Sequence, residues 1–272
     1  MGGASTRAPA DRIPGAAAPR PRDDDSALVP LDTWLPTLQL PPRPDDPRVV
    51  CIGASAGGTR ALESLFRAFP PDLPGVVVVQ HMPAGFTRAF AKSLDAVSRL
   101  AVCEAEHGMP VEPGAALVAP GGKQVLLARA GRGYRVEVVD GPRVQRHRPS
   151  VDVLFRSALN VAGARAVGVL LTGMGSDGAR GLLDLRTAGA YTIAQDEATS
   201  FIFGMPGTAI AMGGATVVLP LGDIPVSLQA VTRLPAGADP DTAGWAHRPA
   251  LAPRPAPHLP GSSRLAVRPP QP

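Results

Sequence analysis

Between residues 48 and 232 the chain alternates short apolar runs with longer stretches in which apolar residues recur every three or four positions. Runs at 49–52, 76–80, 100–104, 115–119, 125–129, 134–139, 166–171, 191–195 and 216–219 have the length and β-branching of strands. Helical spacing covers 60–69, 87–98, 151–162, 179–188, 206–212 and 224–231. In the first of these helices Leu62, Leu65, Phe66 and Phe69 share one face, with Thr59 at the expected N-cap. The run Val76-Val77-Val78-Val79 shows no polar alternation, so a strand of this kind needs cover on both faces. Repeated strand and helix therefore predict an α/β fold: a mostly parallel, doubly wound sheet flanked by helices. Gly121-Gly122 and Gly131-Arg132-Gly133 read as hairpin turns and add an antiparallel hairpin insertion.

Proline divides the chain into three: 10 prolines in residues 1–47, 12 in 48–232 and 10 in 233–272. The density at the two ends predicts a proline-rich disordered arm over 1–47 and a similar tail over 233–272, leaving the fold to 48–232. The arm also holds an apolar patch, Leu28, Val29, Leu31, Trp34, Leu35 and Leu38, interrupted by Pro30 and Pro36. It reads as either a solvated tail or a docking segment. A net charge of +4, scattered along the chain, does not suggest nucleic acid as a partner. Cys51 and Cys103 sit in apolar runs and read as reduced core thiols of a cytoplasmic protein. No run is long enough to span a membrane, so no membrane insertion is expected. No cluster has metal-ligand spacing, and no cofactor is expected.

Three loops at strand ends carry candidate chemistry. The first, Gly53-Ala54-Ser55-Ala56-Gly57, has the G-x-S-x-G spacing of a nucleophile elbow and equally suits a phosphate cradle or a plain tight turn. The second places His81 directly after the buried run 76–80, and the third, Thr172-Gly173-Met174-Gly175-Ser176-Asp177-Gly178, follows the run 166–171. In an open parallel sheet these loops share one edge, so Ser55, His81 and Asp177 can meet as nucleophile, base and orienting acid. Asp177 also reads as an N-cap of the helix that follows it. The order Ser, His, Asp departs from the Ser, Asp, His order of α/β-hydrolases. A nucleotide site is disfavoured because Gln80 and His81 stand where an acidic residue belongs. Backbone N–H groups near Ala56 or Met174 are oxyanion-hole candidates. Arg146-His147-Arg148 reads as a basic rim for substrate or as a solvated loop, with Ser150 capping the helix after it. His107, His247 and His258 have no strand-end placement and read as solvent-exposed.

Five blocks in order resemble the catalytic domain of the chemotaxis protein-glutamate methylesterases, the CheB-type family. They are residues 52–59 (Ile-Gly-Ala-Ser-Ala-Gly-Gly-Thr), 80–87 (Gln-His-Met-Pro-Ala-Gly-Phe-Thr), 146–155 (Arg-His-Arg-Pro-Ser-Val-Asp-Val-Leu-Phe), 171–178 and 203–206. The resemblance implies that Ser55 is the nucleophile, His81 its base and Asp177 the orienting acid. It further implies hydrolysis of glutamate methyl esters, and deamidation of glutamines, on the cytoplasmic helices of chemoreceptors. Ala56 departs from the threonine often found after the nucleophile in this family. Only a short arm precedes Val49, so the expectation is a catalytic domain without the family's usual receiver domain, regulated in trans by a separate response regulator or kinase. The rival readings are a nucleotide-binding module and a catalytically silent interaction domain.

Overall fold

The computed structural model describes residues 29–38, 40–41, 43 and 45–234. Its elements are, in order, α1 (Leu31–Trp34), β1 (Val49–Ala54), α2 (Gly58–Ala68), β2 (Val76–Gln80), α3 (Thr87–Asp95), β3 (Ala101–Glu104), β4 (Pro110–Val111) and β5 (Ala115–Val118). There follow β6 (Gln124–Ala130), β7 (Gly133–Val139), α4 (Val151–Ala162), β8 (Ala166–Leu170), α5 (Ala179–Thr187), β9 (Tyr191–Gln195), α6 (Met205–Ala211), β10 (Val217–Leu219) and α7 (Ile224–Arg233).

Seven strands form one sheet in the order β10-β9-β8-β1-β2-β5-β3, and every pairing in it is parallel. The side chains of β1 and β2 alternate between two cores. Val50, Ile52, Val76 and Val78 face α2, α3 and α7, whereas Val49, Cys51, Val77 and Val79 face α4, α5 and α6. This double burial is what the unbroken valine run demands. The predicted face of α2 is realised, with Leu62, Leu65, Phe66 and Phe69 all buried. After β1 the chain builds outward through β2 on one side, and later through β8, β9 and β10 on the other. The strand order therefore reverses between β1 and β8, where open α/β sheets hold their sites.

The second sheet, β4-β7-β6, is antiparallel and packs on the α4 side. Its β6–β7 hairpin turns at Gly131-Arg132, as expected. Gly121-Gly122 does not make a hairpin, because β5 and β6 belong to different sheets. It is instead the crossing between them, lying against Met82, Pro83 and Ala84 of the loop after β2.

Three local expectations are corrected. Helix α2 starts at Gly58 with Gly57 as its left-handed N-cap, so Thr59 lies inside the first turn and caps nothing. Cys51 is buried, its thiol pushed up to about 12 by burial, but Cys103 is exposed on the edge strand β3. Parts of the presumed arm pack on the domain. Leu35 is buried against Leu126, Val144 and Val153, and Trp34 lies over Gly141. Asn160 of α4 donates to Pro36 O at 3.0 Å and accepts Leu38 N–H at 2.8 Å. Arg156, almost fully buried in α4, donates to Asp32 at 2.6 Å and to Asp184 at 2.8 Å. Residues 1–28 and the tail from 235 lie outside the described residues, as do His247 and His258. His107 is exposed.

Candidate active site

Ser55, His81 and Asp177 follow β1, β2 and β8, three neighbouring strands, and emerge at the same edge. Ala54 pairs with Gln80, so Ser55 and His81 are the next residues on adjacent strands, and His81 N donates to Ala54 O at 3.1 Å. Two buried side chains tie this edge together. Gln80 Nε2 donates to the carbonyls of Ser55 at 2.9 Å and His81 at 3.1 Å. Thr172 O accepts Ser55 N–H at 3.0 Å, while Thr172 Oγ1 lies 2.9 Å from Ala56 O and accepts Ile202 N–H at 3.0 Å. Gln195, at the end of β9, accepts Thr172 N–H at 2.8 Å. Next to Thr172, Gly173 has no room for a side chain: a Cβ there would stand 2.7 Å from Ser55 Cβ and 2.2 Å from Met205 Sδ.

His81 Nε2 bonds to Asp177 Oδ2 at 2.8 Å. That carboxylate is buried and has three further donors. Ser150 Oγ reaches Oδ1 at 2.8 Å, Val151 N reaches Oδ2 at 2.8 Å and Asp152 N reaches Oδ1 at 3.0 Å. Asp177 thus caps α4 rather than the helix that follows it, and α5 begins at Ala179 with Gly178 as its N-cap residue and no side-chain cap there. Ser150 occupies the N-cap position of α4 but makes no cap bond there, because its hydroxyl is committed to Asp177. A carboxylate is well placed here, since the free N–H groups and dipole of the helix N-terminus favour negative charge.

An acceptor on Nε2 fixes the tautomer: Nε2 carries the proton and Nδ1 keeps the lone pair. His81 Nδ1 is buried and has no hydrogen-bond partner among the described residues; in particular it does not bond to Ser55 Oγ. The opposite ring face is covered by His147, stacked with centroids 3.7 Å apart and planes 5° apart. Burial, then the His81 charge, holds His147 below the usual histidine range, with Arg143 adding to this and Asp177 opposing it.

The loop that presents His147 turns sharply. Gln145 and Arg146 both have positive φ, 52° and 69°, between the bridged residues Val144 and His147. Its other end is held by Gln124 of β6, which donates to Pro142 O at 2.8 Å and His147 O at 3.1 Å and accepts Ser150 N–H at 2.9 Å. The small sheet thus serves as a buttress for this wall of the site. Arg146 is exposed on the rim. Arg148, expected beside it, is half-buried and donates to Gly141 O at 2.9 Å, so it secures the loop. Met174 is exposed at 72%. The N–H groups of Ala56 and Met174 donate to no protein acceptor among the described residues.

Gln80, Thr172, Gln195, Gln124 and Asp152 escaped the sequence reading. Gln80 had a usable signal, since it ends an otherwise apolar parallel strand. The others bond to groups distant in sequence.

Taken together, the seven parallel strands, the reversal beside β1 and the polar cluster there define an α/β domain with its site at a topological switch point. Residues 50–228 match the family model described as CheB methylesterase. The chain is 58% identical over 178 residues to "Protein-glutamate methylesterase/protein-glutamine glutaminase 1" of Geobacter metallireducens, covering 65% of this chain and 49% of that protein. It is 60% identical over 186 residues to "Protein-glutamate methylesterase/protein-glutamine glutaminase 5" of Anaeromyxobacter dehalogenans, covering 68% and 51%. It superposes on the crystal structure of the Thermotoga maritima CheB methylesterase catalytic domain with a TM-score of 0.66 at 38% identity, covering 67% of this chain and 97% of that one. The chain belongs to the CheB methylesterase family. It spans about half the length of the curated relatives it matches. Among the described residues, no helix is long and apolar enough to cross a membrane.

Proposed function

We propose that this chain hydrolyses glutamate methyl esters on methylated chemoreceptor cytoplasmic helices, with Ser55 as nucleophile, His81 as base and Asp177 as the acid that orients it. The observation that carries the reading is the His81–Asp177 bond beside the Ser55 loop, in a chain of this family. That bond leaves the Nδ1 lone pair to take the serine proton. Ser55 Oγ attacks the ester carbonyl while its proton passes to Nδ1, and Asp177 stabilises the imidazolium. The oxyanion is received by the N–H groups of Ala56, just before α2, and of Met174, in the loop after β8, each supplying roughly 2.7–4 kcal/mol. Methanol departs with the proton from Nδ1. Water then gives its proton to Nδ1 as it attacks the acyl-enzyme, and the serine is regenerated. Glutamine deamidation follows the same path with ammonia as the leaving group, in keeping with the double name of the relatives.

Arg146 is the rim residue that meets acidic side chains near the methylated position. The reading is tested by methyl release from a methylated chemoreceptor cytoplasmic fragment. Wild-type protein releases methanol, and Ser55→Ala loses roughly 10⁴-fold or more of kcat. Release that persists unchanged in Ser55→Ala refutes the mechanism.

A further inference from the structure

Asp152 is almost fully buried, carries no role in the steps above, and sits where α4 and α5 begin. Its Oδ1 accepts Gly181 N–H, in the first turn of α5, at 2.8 Å, with the Gly178 N–H near enough to act on the carboxylate's charge. Neither helix has a side-chain cap of its own. Each borrows one from the other: Asp177, just before α5, takes the first N–H groups of α4, and Asp152, in the first turn of α4, takes that of Gly181 in the first turn of α5. The exchange needs close contact. A Cβ on Gly181 would stand 2.7 Å from Phe155 Cβ and 3.1 Å from Asp152 Oδ1.

We infer that Asp152 is a positioning residue for the reaction: through this reciprocal cap it fixes the Asp177 loop, and so the imidazole that Asp177 holds. The kinetic part rests on the proposed esterase activity; the geometric part does not. Asp177 lies four residues before the anchored Gly181, at the entry to the same helix, so a loosened anchor moves the carboxylate relative to His81. Displacement of about 1 Å in such a group costs on the order of 100-fold in rate. Two carboxylates this close also cannot both be charged cheaply. Burial, then the neighbouring Asp177, pushes Asp152 up to about 7, with the two backbone donors pulling the other way and Asp184 adding to the rise. Other charged or titratable groups around it are His81 and His147 across Asp177, and Arg156 one turn along α4.

The test uses the full chain in three forms: wild type, Asp152→Ala and Asp152→Asn. Two readouts are taken: methyl release, and the proton NMR resonance of the His81 Nε2–H held by Asp177. For Asp152→Ala we expect kcat to fall on the order of 100-fold at unchanged KM, with the resonance shifted or broadened. Asp152→Asn, whose amide oxygen still accepts the Gly181 N–H, restores kcat to within about 3-fold. An alanine variant with wild-type kcat and an unmoved resonance overturns the inference. Should the alanine variant not fold, Asp152→Ser, polar but too short to hold the Gly181 N–H, takes its place with the same two readouts, and wild-type kcat with an unmoved resonance again overturns the inference. If wild type hydrolyses no ester, the functional proposal falls, and the resonance still decides the role of Asp152.

Discussion

Asp177 holds an imidazole and a helix end with the same two oxygens. Its removal therefore differs in kind from removal of the serine. Ser55→Ala should leave the urea midpoint nearly unchanged while abolishing turnover. Asp177→Ala leaves a buried hydroxyl and two backbone N–H groups without an acceptor, each costing about 1–3 kcal/mol, so it should lose about 3 kcal/mol or more as well as activity. Asp152 gives a pH signature. Its folded-state pKa lies above the ordinary carboxyl value, so between about 4 and 7 the folded protein binds more of its proton than the unfolded chain does. Its contribution makes stability fall as pH rises through that window. Asp152→Asn should flatten this slope in denaturation curves taken between pH 4 and 8. At this scale sequence reading works unevenly. Ser55, His81 and Asp177 stand out because each follows an apolar run at a strand end. Asp152 does not, because its partners are backbone N–H groups of a segment some thirty residues away, and a chain read in order shows the acceptor without its donors.

Strands and helices were legible almost throughout, because burial on both sheet faces writes continuous valine runs and a helix face writes a three-to-four repeat. What escaped was the two-residue strand β4, and the short segment α1 with its contact on α4. The apolar patch was visible, but the side chains that receive it, Arg156 and Asn160, lie more than a hundred residues away. Burial decides the worth of each ion pair here. Asp32 is 78% exposed and Asp184 only 17%, while both bond to the same Arg156. Asp32→Asn should cost no more than about 1 kcal/mol. Asp184→Asn leaves the buried guanidinium without its inner counter-charge and should cost about 3–5 kcal/mol. Urea unfolding of the two variants checks the ranking, and equal losses contradict it.

Across the described surface the three most exposed large apolar side chains are Phe86, Met174 and Phe201, at 64%, 72% and 78%. All three lie on loops leaving the carboxyl ends of strands β2, β8 and β9, the edge that holds Ser55. Phe201 stands directly over Gly57, two residues from the serine. Exposed apolar groups gathered at one edge suit contact with a protein surface better than with a small ester. Phe201→Ser should therefore raise KM for a methylated receptor fragment several-fold and leave hydrolysis of a blocked glutamate methyl ester unchanged. Arg146→Glu should show the same split. Equal effects on both substrates would assign these residues to the chemistry instead.

The docked segment at 29–38 bears on how far the family's shared region is a module. The family match begins at residue 50, beyond Leu35, Trp34 and the chain groups that Arg156 and Asn160 grip. A recombinant fragment cut at that boundary, or a chimera that grafts only the shared region onto another protein, strips the cover from α4, the helix whose first turn seats Asp177. Portability of this domain is thus set by a stretch outside the family model, and a graft that carries residues 29–49 along should remain soluble where one starting at residue 50 precipitates.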